Sequence, residues 1–157
     1  MERRHLIRLL LLVGVLATAA AAAAATGVKW GVLFTGTTTP SGKQAPIGYV
    51  AVTRAQERPW RARLTPDDRA ALARVNLLNT GAVALFLDGL PCASHVTTTS
   101  VTRSGSTLTA RFAYTRPPIG VAMCVRTSTP YIVLGVSRKS LGRPAPTHVD
   151  VIARART

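Results

Sequence analysis

Apolar and polar residues alternate from Leu108 to Tyr114, where Leu108, Ala110, Phe112 and Tyr114 are separated by Thr109, Arg111 and Ala113. A period of two belongs to a strand with one buried face. Two other runs are apolar without a break, Ala82–Leu87 (AVALFL) and Tyr131–Val136 (YIVLGV). Both are short and bounded by turn residues, so each predicts a buried strand. Trp30–Phe34 and Ile47–Thr53 predict two further strands, separated by a loop over Thr35–Pro46 that is rich in Thr, Ser, Gly and Pro. His95–Arg103 carries Val96 and Val101 among threonines, and Arg103-Ser-Gly-Ser-Thr107 predicts a hairpin turn after it. Arg116–Gly120 (RPPIG) breaks the alternating strand. Pro130 opens the Tyr131–Val136 strand, and Val149–Ala153 predicts a last, edge strand beyond a Gly142–Pro146 loop.

One segment carries helix signals. Thr65 can cap, Pro66 suits the first helical position, and Asp67 and Asp68 complement the positive end of a helix dipole. Asp68 stands where a capping-box acid belongs. The helix should reach about Arg74 and bury Ala71, Leu72 and Val75. A second short turn is expected over Arg58–Leu64, anchored by Trp60. Six to eight short strands with one or two short helices predict a mainly β fold, an antiparallel sandwich or open barrel. The chain has no internal repeat.

The N-terminus follows a different pattern. Met1–Arg8 is basic, Leu9–Leu16 (LLLLVGVL) is a short apolar core, and Ala17–Ala25 is almost pure alanine. This is the three-part pattern of a secretory signal, and the alanines offer small-residue cleavage sites. Leu6–Ala25 is also just long enough to stay as a membrane anchor. Arg3-Arg4 further fits a twin-arginine export signal. The organisation is then a signal or anchor over residues 1–25 and one β-rich domain over 26–157, placed outside the cytoplasm. Membrane association follows only if the N-terminal segment is retained.

The formal net charge is +14. Such a balance suits acidic partners. However, only Lys29, Lys43 and Lys139 are lysines, and the arginines are scattered with no run of four. That distribution describes a generally basic surface rather than a dedicated polyanion site. Aromatics are few and fall in predicted core strands, which argues against a nucleic-acid-binding sheet. Cys92 and Cys124 are the only cysteines. An even count in an oxidising compartment fits one disulfide, worth roughly 3–4 kcal/mol by the chain-entropy estimate. Two buried free thiols are the alternative. With His95 and His148 as the only imidazoles after the leader, no zinc spacing is present. No cofactor or metal is implied.

Catalytic parts are scarce. The acids after the leader are Glu57, Asp67, Asp68, Asp88 and Asp150. Ser94 and His95 are adjacent on an expected strand edge, so their side chains point to opposite faces, and no acid is placed to orient the base. Gly31, Gly36 and Gly42 lack the spacing of a phosphate-binding loop. A non-enzymatic domain is expected.

A series of features from Trp30 to Arg138 resembles the PrcB-like domain, an accessory subunit of bacterial extracellular protease complexes. They are the early strand with Gly36-Thr-Thr, the segment Gly48-Tyr-Val-Ala-Val to Trp60, and the strand and loop Val83-Ala-Leu-Phe-Leu-Asp-Gly-Leu-Pro-Cys-Ala-Ser-His95. The hairpin at Arg103-Ser-Gly105 and the Thr129-Pro-Tyr131 opening of a core strand complete the order. Ala93-Ser94-His95 replaces the glycine-glycine-tyrosine element common in that family. The resemblance implies a binding module whose partner is an envelope or extracellular protein, a protease among the candidates. Asp88, Leu90 and His95 of the loop are the expected contact residues. A loop-wedge protease inhibitor and a basic module for acidic wall polymers are the competing readings.

Overall fold

The computed structural model describes residues 25–90, 95–115 and 128–156. It is mainly β, with two four-stranded sheets and short helices. The strands are β1 (Thr26–Gly27), β2 (Trp30–Thr38), β3 (Ile47–Ala51), β4 (Thr80–Phe86), β5 (Val96–Ser104), β6 (Thr107–Thr115), β7 (Thr129–Ser137) and β8 (His148–Arg156). The helices are α1 (Arg54–Arg61), α2 (Pro66–Arg74) and α3 (Arg138–Leu141). Sheet I runs β1-β5-β6-β8 and sheet II runs β2-β7-β4-β3. The expected sandwich is therefore present. It is antiparallel except at one pair, because β8 runs parallel to β6, with Thr107 opposite His148 and Thr115 opposite Arg156.

The side-chain patterns explain the layers. On β6 the alternating residues Leu108, Ala110, Phe112 and Tyr114 are all buried against sheet II. The continuous apolar runs sit on the two central strands of sheet II and bury both faces. Val83 and Leu85 of β4, with Ile132, Leu134 and Val136 of β7, face sheet I. Ala82, Ala84 and Phe86, with Tyr131 and Val133, face a second core completed by Trp60, Leu64 and Leu72 of the helical segment. Sheet II is thus the middle of three layers, and a strand covered twice has no position left for a polar side chain.

Helix α2 spans the predicted residues, and Thr65 Oγ1 accepts from the Asp68 N–H at 3.2 Å. Leu72 is buried, while Ala71 and Val75 are half-buried. Helix α1 corrects the expected turn over Arg58–Leu64. It begins at Arg54, because Gln56 Oε1 turns back to accept from the N–H groups of Val52 and Thr53 at 2.8 and 3.1 Å. Thr53-x-x-Gln56 is a capping-box spacing, so the signal was present. Arg54 then joins the two helices. It pairs with buried Glu57 at 2.7 Å and donates to the Leu72, Ala73 and Val75 carbonyls, the unpaired end of α2.

Two boundaries also differ from expectation. β2 continues through Thr38, so the loop begins at Thr39 rather than Thr35. Thr35–Thr38 suit an extended backbone, and β7 supplies their hydrogen-bond partners. β3 stops at Ala51, freeing Thr53 for the helix start. The hairpin is as expected, with Gly105 at φ 56° and Ser104 opposite Thr107. The last strand is an edge strand, longer than predicted. Arg116–Gly120 lies outside the described residues.

β3 and β8 close one side of the sandwich. A Cβ on Gly48 would lie 2.7 Å from Val149 Cβ and 2.9 Å from Val151 Cγ2. Only a glycine lets the two strands approach so closely.

Candidate functional site

The loop that follows β4 starts from a tightly held base. Leu87 N–H donates to the Pro130 carbonyl at 3.0 Å. Asp88 turns inward and is 1% exposed. Its Oδ1 accepts from the Ser41 N–H at 3.0 Å and from Thr129 Oγ1 at 3.1 Å. Its Oδ2 accepts from Arg63 Nη2 at 3.1 Å. Burial by itself would raise the pKa of this carboxyl, but the Ser41 and Arg63 hydrogen bonds and the Arg63 charge outweigh it and hold the pKa below the ordinary carboxylate value. The Arg63 guanidinium in turn lies over the Phe86 ring, 3.9 Å from its centroid.

Gly89 has φ 71°, and a Cβ there would lie 2.7 Å from the Ala45 amide nitrogen. The turn therefore needs glycine for conformation and for space. Leu90 is buried in the core between the sheets. The loop base is joined to the β2–β3 connection, the α1–α2 junction and the start of β7, so it has few ways to move.

A second linkage stands beside it. Tyr131 is fully buried, donates from its hydroxyl to the Asp68 carboxylate and accepts from the Thr65 N–H at 3.2 Å. Burial, then the bond to Asp68, raises the Tyr131 pKa above the ordinary phenol value. Gly36 faces this pair, and a Cβ there would lie 2.5 Å from Tyr131 Cζ. Thr129-Pro-Tyr131 thus contributes two polar anchors to one end of the sandwich, one to Asp88 and one to the helix cap. A shallow cleft of about 370 Å³ opens above them, lined by Thr37–Thr39, Arg63, Thr65 and Ser128.

The expected contact residues divide here. Asp88 and Leu90 work inside the molecule, since the carboxylate is used by three internal donors and the leucine by the core. This corrects their reading as surface contacts. His95 is exposed, and its carbonyl accepts from the Thr115 N–H at 3.1 Å. Cys92, Ser94 and Cys124 lie outside the described residues, and the expected disulfide with them. The partners Ser41, Arg63 and Thr129 left no local mark in the sequence, because each reaches Asp88 only through the tertiary fold. Among the described residues no group of three or more His, Cys, Asp or Glu could hold a metal ion, and no helix is long and apolar enough to cross a membrane.

Comparison with protein-family models, curated proteins and solved structures found no match to this chain.

Proposed function

We propose that this chain is an exported, non-catalytic binding module that docks another protein of the cell envelope through the Asp88 end of its sandwich. The observation that carries the reading is the clamp on Asp88. A loop whose first three residues are seated by a buried carboxylate, a space-restricted glycine and a core leucine is presented from a rigid base. Rigid presentation lowers the ordering cost of binding. The exposed groups at this end include His95, Thr37, Thr39, Ser128 and Lys43, which are polar residues of the kind that form hydrogen-bonded contacts. Buried Asp88 and Glu57 and half-buried Asp68 each hold an internal partner, so they act as structural anchors rather than as acids or bases for a substrate. The PrcB-like resemblance points in the same direction and suggests an extracytoplasmic protease as partner.

The test is a pull-down from envelope extract with the tagged full-length chain and a His95→Glu, Thr37→Glu, Ser128→Glu variant. All three substitutions are at exposed positions, so an unchanged urea unfolding curve should accompany loss of the captured protein. A folded variant that retains every partner of the unaltered chain removes this end as the docking surface. If the captured protein is a protease, assaying it in the complex separates docking, which leaves it active, from the inhibitor reading.

A further inference from the structure

The opposite end of the sandwich has a different chemistry. There β1 brings the chain in from its N-terminal segment, with Thr26 opposite Arg103. Lys29 is tied to α3, since its N–H donates to Ser140 Oγ at 3.2 Å and its carbonyl accepts from the Ser137 N–H at 2.9 Å. The Arg138 N–H reaches the Asn79 carbonyl at 2.9 Å. Arg103 donates to the carbonyls of Leu141, Pro144 and Gly105, the latter two at 2.8 Å. These bonds gather Lys29, Arg103, Arg138, Lys139 and Arg143 at one end, and Lys29, Lys139 and Arg143 are exposed. Most acids lie elsewhere: Asp88 and Asp68 are at the far end, Asp67 is beside Asp68, and Glu57 is buried in α1. Asp150, opposite Thr109 and so in the row of Thr102 and Gly27, is an exposed carboxylate on the hairpin side of sheet I, outnumbered there by the five basic residues.

A basic end alone is an ordinary solvated surface. Here an apolar feature accompanies it. Leu78, in the turn that ends at Asn79, is 84% exposed, the most exposed large hydrophobic among the described residues. Leu33 and Val32 of β2 are also exposed, and Leu33 Cδ2 lies 2.9 Å from where a Cβ of Gly135 would stand, three residues before α3 begins. A projecting leucine among cations matches the layered chemistry of a bilayer surface, with anionic headgroups outside and acyl chains beneath.

We propose that this end faces a membrane, with Lys29, Lys139 and Arg143 against anionic lipid headgroups and Leu78 in the interfacial layer. The proposal rests on the export reading of the N-terminal segment, which joins the domain at this same end. It would leave the Asp88 end directed away from the bilayer and free for a protein partner.

The lysines provide an internal probe. Lys29 and Lys139 belong to the basic end, while exposed Lys43 follows Ser41 near Asp88. The full chain is mixed with vesicles of phosphatidylcholine, alone or with phosphatidylglycerol, floated, and acylated, and the rate at each lysine is read by mass spectrometry. Lys29 and Lys139 should react several-fold more slowly on the anionic vesicles than on the neutral ones, with Lys43 unchanged, and added salt should remove the difference. Replacing Lys139 and Arg143 with Gln should weaken the salt-sensitive component about fivefold per charge, and Leu78→Ser should weaken overall binding to the anionic vesicles through lost apolar burial. Flotation on both vesicle types with equal rates at Lys29 and Lys139 overturns the proposal and leaves a membrane anchor standing. Flotation on anionic vesicles alone with both lysines protected upholds the surface and rejects the anchor. Flotation on neither overturns the proposal. Equal protection by soluble polyphosphate assigns this end to free polyanions and overturns the bilayer as its occupant.

Discussion

Replacing Asp88 with Asn tests the clamp directly. The amide keeps the shape and one oxygen, which can still accept from the Ser41 N–H and Thr129 Oγ1. It places an NH2 group where Oδ2 now accepts from Arg63, so two donors face each other. Breaking a fully buried ion pair from one side costs about 3–5 kcal/mol. The Asp88 side chain is 1% exposed but that of Arg63 is 20% exposed, so water relieves part of the loss. A cost of about 2–3 kcal/mol follows, a large share of the roughly 5–15 kcal/mol that holds an ordinary domain. Urea unfolding at neutral pH should show a lower midpoint with unchanged slope. The pH dependence gives a second reading. The folded pKa of Asp88 lies below its unfolded value. Its contribution is therefore complete above the ordinary carboxylate range near 3.9 and is lost as pH falls through that value toward the folded pKa. The Asn variant should show a shallower loss of stability on the acid side. A double-mutant cycle with Arg63→Gln should return a coupling of about 1–3 kcal/mol. A coupling near zero, or an acid limb unchanged by Asp88→Asn, would refute the clamp.

Three further outcomes are expected. Gly48→Val should destabilise the domain by about 3 kcal/mol or more in the same urea assay, because its side chain has no space between β3 and Val149 and Val151 of β8. Tyr131→Phe should cost about 1–2 kcal/mol by leaving the Thr65 N–H and the Asp68 carboxylate without their shared hydroxyl. In a spectrophotometric titration, that variant should also lose a tyrosine component that ionises above the ordinary phenol value, since the Tyr131 pKa is raised by burial and by Asp68. Non-reducing peptide mapping of the exported protein should yield Cys92 linked to Cys124, with Cys92→Ser costing about 2–5 kcal/mol. Two alkylatable thiols would exclude the bond.

The elements of this protein were legible where the signal is local. The period-two pattern of Leu108–Tyr114, the two continuous apolar runs and the Thr65-Pro66 cap need only near neighbours, and each lies where the pattern put it. The Thr53-x-x-Gln56 cap was equally local, yet the residues that follow it are mostly charged, with Pro59 among them and Trp60 as the one large apolar side chain, and the helix is held largely by Trp60 and by Arg54 at the end of α2. Tertiary structure decided what depends on distant residues meeting. It set β8 parallel beside β6, which only a crossover between the sheets permits. It turned Asp88 inward, because Ser41, Arg63 and Thr129, 47, 25 and 41 positions away, bring their donors to one carboxylate. It also sorted the charge, since scattered basic residues form one cationic end only once β1, the β5–β6 hairpin and α3 are packed together. Periodicity records which face of an element is buried, but not which residue from elsewhere in the chain will cover it.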